Sequence, residues 1–123
     1  MSESCVDVLP QPLTYIVRVS ETLVAQDLAQ TIVDFDPGAT VVFATTLQEA
    51  VAALDGAAAL AVAFISGNPD DVLGCGLSRA ITDRGGRVVL LGLEAEARGP
   101  SAAFDVLLQP FDTDAVVAKL RAD

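Results

Sequence analysis

Residues 60–71, Leu-Ala-Val-Ala-Phe-Ile-Ser-Gly-Asn-Pro-Asp-Asp, leave little freedom to the chain around them. Leu60 to Ile65 is apolar without alternation, the pattern of a strand covered on both faces, as in a parallel sheet between helical layers. Ser66-Gly67-Asn68-Pro69 then reads as a turn that opens a helix, with Asn68 as the cap and Pro69 at the first helical position. In open α/β sheets, ligands and chemistry gather where strands end and loops enter helices. This junction holds no His, no Cys and no nucleophile backed by a base. An active enzyme is therefore a poor reading of the chain.

The flanking sequence repeats the same alternation. A strand is expected over 14–19, with Arg18 its only charge. Ser20 is placed to cap the next helix, and Glu21 falls in its first turn. Leu23, Val24, Leu28, Ile32 and Phe35 mark the apolar face of that helix, and Asp36-Pro37-Gly38 stops it. A second strand is expected over 40–44. Thr46 and Glu49 form a capping box for a helix with Leu47, Ala50, Val51 and Leu54 inward, closed by Gly56. The third strand ends at Ile65. One helix is expected over about 70–83, with Val72, Leu73, Leu77, Ala80 and Ile81 inward, weakened by Gly74 and Gly76. Gly85-Gly86 ends it, and a fourth strand follows over 88–91. Residues 94–101 are polar and broken by Gly99-Pro100, so at most a short helix fits. A fifth strand is expected over 105–108, and Asp112 or Thr113 caps a last helix with Ala115, Val116 and Leu120 inside. Five strands alternating with helices predict an α/β, doubly wound parallel sheet. Residues 1–12, polar with two prolines, are expected to be a loose tail, leaving 13–123 as one domain.

Composition narrows the function classes. The chain has 123 residues, enough for one real core, and it is 52% hydrophobic with only 5% aromatics. Net charge is −10, which argues against nucleic acid and anionic membranes as partners. Uncharged apolar runs reach about ten residues, too short to span a bilayer, and no signal peptide is expected. With no His at all, zinc binding and His-based acid/base catalysis drop out. Cys5 and Cys75 fit no metal or redox spacing, and reduced thiols agree with a cytoplasmic setting. Cys75 reads as a helix-face residue. No cofactor is expected.

In element order, in the Ser20-Glu21-Thr22-Leu23-Val24 entry to the first helix, in Asn68-Pro69 after the third strand and in Gln109-Pro110-Phe111 after the fifth, the chain resembles the receiver domain of two-component response regulators, from Leu13 to about Arg121. The resemblance implies a flavodoxin-like fold with strand order 2-1-3-4-5. It also implies a site whose usual residues are missing. The acid pair that holds Mg²⁺ in the family falls on Val19 and Ser20. The phosphoacceptor Asp, four residues before the loop proline, falls on Ile65. The switch Thr or Ser falls on Gly92, and the Lys of the family's Lys-Pro-Phe falls on Gln109. The segment between Gly92 and Gln109 is short for the family, which implies a shortened fourth helix. The expectation is a stand-alone, degenerate receiver of bacterial signalling. It would act by phosphorylation-independent contact with a histidine kinase, another regulator or itself as a homodimer.

The physical chemistry agrees. Phosphoryl transfer needs a carboxylate nucleophile, Mg²⁺ with oxygen ligands and a cation for the developing charge. Ile65 cannot attack, Val19 and Ser20 offer one weak ligand, and Gln109 is neutral. Ser66 is the nearest oxygen nucleophile, but strand alternation turns it to the opposite side from residue 65. Asp70 and Asp71 read as first-turn acids favoured by the helix dipole rather than as metal ligands. Glu21, Glu94 and Glu96 read as solvated loop charges. A second functional reading is a flavodoxin-like module that takes a small ligand or anion at Ser66, Gly67 and Asn68, near Gly92. Arg18 either pairs with an acid or buries its stem and sends its head to the strand ends. The shortened fourth helix is expected to uncover Val106, Leu107 or Leu108 for a partner.

Overall fold

The computed structural model describes residues 13–54, 60–74, 76–101, 104–108 and 111–121. The expected tail, the Gly56 stop and Cys75 lie outside these residues. In chain order the elements are β1 (Thr14–Arg18), α1 (Thr22–Phe35), β2 (Thr40–Phe43), α2 (Leu47–Leu54), β3 (Leu60–Ser66), α3 (Pro69–Gly74), α4 (Leu77–Asp83), β4 (Arg87–Leu91), α5 (Leu93–Arg98), β5 (Asp105–Val106) and α6 (Thr113–Arg121). The sheet is all parallel with spatial order β2-β1-β3-β4-β5. This is the flavodoxin-like order 2-1-3-4-5.

Two apolar layers sandwich the sheet. On one face Val17, Phe64 and Leu91 pack with Leu28 and Ile32 of α1 and with Val116 of α6. On the other, Ile16, Ile65 and Leu90 pack with Leu54 of α2, Val72 of α3, Ile81 of α4 and Ala95 of α5. β3 lies in the middle, and Ala63, Phe64 and Ile65 are all fully buried. Each large side chain hidden this way contributes on the order of 1.5–3 kcal/mol, which explains the unbroken apolar run of this strand.

Local departures from expectation have physical causes. The single helix expected over 70–83 is two, because Gly76 sits at φ 80°, a left-handed conformation that breaks the helical ladder before Leu77. Ser20 does not cap α1. Glu21 takes the cap position with no side-chain bond, because the Ser20 backbone is drawn to Ser66 instead. Leu23 is 76% exposed. It lies two positions before buried Ala25, on the far side of a 3.6-residue turn. Phe35, Val51 and Leu73 are also partly exposed. The Thr46–Glu49 box forms: Glu49 N–H donates to Thr46 Oγ1 at 3.0 Å, while the Glu49 carboxylate accepts from Thr45 N–H at 2.8 Å. That second bond holds the Glu49 carboxyl below its usual range. Asp112 is the cap of α6, accepting from Ala115 N–H at 2.9 Å. β5 is shorter than expected, although Leu107 N–H still donates to Leu90 at 2.9 Å.

Candidate functional site

The parallel sheet brings the C-terminal ends of β1, β3 and β4 together, with Arg18, Ile65 and Leu90 in one cross-strand row. Side-chain alternation decides what this row offers. Ile65 is 0% exposed and points into the α2–α5 layer beside Ile16 and Val72. Val19 packs against the opposite core layer, and Ser20 is exposed. Gly92 has φ 115° and ψ 167°, a region open almost only to glycine. A Cβ there would face the Gly67 amide nitrogen at 3.9 Å. Gln109 lies outside the described residues.

Arg18 resolves in favour of the strand ends. Its Nη1 donates to the Ser66 carbonyl at 2.9 Å and lies 3.4 Å from Ser66 Oγ. Its Nε is buried with no partner among the described residues. Ser66 in turn ties β1 to β3: its Oγ accepts from Ser20 N–H at 3.0 Å and lies 3.4 Å from the Arg18 carbonyl. The Arg18 side chain faces a cleft of about 690 Å³ whose walls include Thr46, Gln48, Val51, Asp70 and Asp71. Sequence reasoning missed the Arg18–Ser66–Ser20 knot. Its signal was Ser66 itself, the first polar residue after the apolar run.

Several polar groups of the Ser66-Gly67-Asn68 turn bond within the fold. Gly67 N–H donates to the Leu91 carbonyl at 3.3 Å, and Asn68 Oδ1 accepts from Asp70 N–H at 2.9 Å, as a cap should. Asp70 and Asp71 stand in the first turn of α3, and Asp70 pairs with Arg98 of α5. Glu21 precedes α1 and Glu94 and Glu96 open α5; no group of three or more His, Cys, Asp or Glu side chains gathers among the described residues.

Of the expected interaction residues, Val106 and Leu107 are 5% and 1% exposed and belong to the core layers. They are therefore not surface. Leu108 is 63% exposed and edges a cleft of about 660 Å³ that also touches Phe111, Ala115 and Lys119. α5 has only six residues, buries Ala95 and leaves Leu93 83% exposed.

A five-stranded parallel sheet in this order, with helices on both sides and strand ends gathered in this way, is the architecture of receiver domains. Solved structures bear this out. A response regulator receiver domain protein from Bacillus halodurans superposes with TM-score 0.64 at 14% identity, over 89% of this chain and 95% of its own. The chemotaxis response regulator CheY4 of Vibrio cholerae gives 0.63 at 18% identity, over 89% and 97%. A response regulator receiver protein from Sinorhizobium medicae gives 0.62 at 18%, over 91% and 97%. At these identities the likeness is one of fold. No family model matches the sequence, and the curated proteins give no match.

Proposed function

We propose that this chain is a receiver-like signalling module of the two-component type that has lost phosphoacceptor chemistry and works by phosphorylation-independent contact with a protein. It is not an enzyme and needs no cofactor. Its setting is the bacterial cytoplasm, and its partners are a histidine kinase, another regulator or a second copy of itself. The observation that carries this reading is residue 65. The resemblance puts the nucleophile there, and Ile65 is instead a fully buried part of the core. Val19 and Ser20 stand where the acid pair would be, Gly92 where the switch hydroxyl would be and Gln109 where the Lys would be. Arg18, bonded to Ser66, adds a cation at the strand ends, unlike the acidic pocket that Mg²⁺ requires.

The ligand reading at Ser66, Gly67 and Asn68 has less support, because the Ser66 hydroxyl, the Gly67 N–H and the Asn68 Oδ1 already bond within the fold. For a partner, Leu108 with the cleft beside it and Leu93 on α5 offer exposed apolar surface. Affinity purification from the native host, with wild type and Leu108→Glu in parallel, tests the proposal. A histidine kinase or response regulator retained by wild type and lost by the variant is expected. Recovery of no two-component protein, or equal recovery by both, would count against it. No helix among the described residues is long and apolar enough to cross a membrane.

A further inference from the structure

The two edges of the sheet are treated differently. β5 is two residues long and carries the Asp105–Lys119 ion pair, at 3.0 Å. Shortness and charge are common protections of an exposed edge. β2 has neither. Its sequence is Thr-Val-Val-Phe, its ladder with β1 runs without a register shift, and residues 37–48 contain no charged side chain. Among the described residues β2 pairs with β1 alone. Phe43 is 55% exposed.

Hydrogen-bond geometry shows which groups are left over. Thr40 N–H donates to the Leu13 carbonyl at 2.9 Å and Ala44 N–H to the Val17 carbonyl at 3.0 Å. Backbone groups alternate sides along a strand, so Val42 also faces β1. Val41 and Phe43 therefore turn their N–H and C=O groups outward. Two outward-facing residues separated by one are complementary to themselves. A second β2 laid antiparallel about a two-fold axis through Val42 sets Val41 opposite the partner's Phe43 and Phe43 opposite the partner's Val41. Each such pair exchanges two N–H to C=O bonds, so all four outward groups are satisfied. On the α1 side this places an aromatic against a β-branched residue, a favourable cross-strand pair. Val33 lies on the same side. Asp27, Thr31 and Asp34 line the cleft between α1 and α6, so the opposite flank of α1, where Val33 is 42% exposed, faces β2.

Charge selects the occupant. Two copies of a chain with net charge −10 repel wherever acidic surfaces meet, and the uncharged β2 edge is a place where they can approach without that cost. We infer that the chain forms a two-fold symmetric homodimer through antiparallel pairing of β2, giving one continuous ten-stranded sheet. This goes beyond the proposed function: it uses a different surface from Leu108 and does not depend on the missing phosphoacceptor. The contact is small and belongs with weak interfaces that bury less than about 1,200 Å², so the dimer is expected at high micromolar concentration.

The test uses the symmetry. Val42 is half-buried, and the two-fold sets it opposite its own copy. Sedimentation of wild type from tens to several hundred micromolar is expected to move from the 12.7 kDa monomer towards twice that mass. V42E and V42K should each stay monomeric, and their equimolar mixture should recover the dimer, because opposite charges then meet across the axis. Circular dichroism checks that both variants fold. A readout that needs no variant is amide exchange: the Val41 and Phe43 amides of wild type should slow as concentration rises, by about twofold or more at several hundred micromolar. A wild type that stays monomeric throughout, a dimer that V42E leaves intact, or amides at 41 and 43 that exchange at the same rate at every concentration would each overturn the inference. None of these outcomes bears on partner capture through Leu108.

Discussion

A guanidinium in an inner strand needs a polar partner, because an unpaired buried charge costs several kcal/mol. Arg18 stands at the last position of β1, and its Nη1 reaches the Ser66 carbonyl. Arg18→Ala is expected to destabilise the fold by about 1–3 kcal/mol, the range of a hydrogen bond to a charged donor. Urea unfolding checks this, and an unchanged midpoint would mean that the bond contributes nothing. Arg87 solves the same problem differently. Its two terminal nitrogens donate to the Lys119 and Leu120 carbonyls at 2.8 and 2.9 Å, closing the C-terminal end of α6 where a cation is favoured. Tyr15 is the only tyrosine, and there is no tryptophan, so its titration can be read by absorbance alone. Burial raises its pKa, and Asp36, which accepts from its hydroxyl at 3.4 Å, raises it further. The folded protein favours the neutral phenol. Its contribution is therefore complete below the ordinary value of about 10 and is lost as pH climbs through the raised one. Folded protein should titrate above about 10, the urea-unfolded chain near it, and Tyr15→Phe should flatten the alkaline loss of stability.

At the scale of elements, the caps and the stops carried most of the information. The capping box at Thr46, the Asn68-Pro69 entry and the Asp112 cap all form where the residue types placed them. The break between α3 and α4 was not read, although its cause was visible as Gly74 and Gly76. Helix-face periodicity continues across the break, with Val72, Leu77 and Ile81 all buried. A pattern of apolar spacing cannot report a left-handed residue between two short helices. Gly76→Ala forces a side chain into that conformation at φ 80° and should cost about 1–2 kcal/mol, although a Cβ there meets no other atom within 4 Å. The loss is then one of backbone strain rather than of packing. Thermal unfolding of Gly76→Ala beside Gly76→Asn separates the two causes, because Asn tolerates the conformation better and should recover part of the loss.

For the molecule as a whole, strand number, order and two-sided burial were legible because each follows from a local rule: apolar runs, turn residues and the parallel connection. The site was legible only by position. That residue 65 carries no nucleophile is plain from the sequence. The burial of Ile65 follows from the unbroken apolar run of its strand, but that Ser66 is drawn to Arg18 and Ser20 depends on contacts across 46 to 48 residues, which no local pattern contains. The same packing governs what restoration would take. Incubation of wild type with acetyl phosphate and Mg²⁺ should leave the intact mass unchanged, because no described carboxylate group offers both a nucleophile and a metal cradle at the strand ends. Ile65→Asp supplies the missing carboxylate at a position with 0% exposure. Burying that charge should cost on the order of 3–5 kcal/mol and raise its pKa, which leaves it neutral and a poor nucleophile. Val19 still provides no metal ligand. The single variant is therefore expected to be destabilised in urea and to remain unphosphorylated by mass. A stable phosphoryl adduct on wild type would show that the strand ends retain a working phosphoacceptor site and would sink the proposal of a module that signals without one; an adduct on Ile65→Asp alone would overturn the expectation that burial and the missing metal ligand keep the restored carboxylate inert.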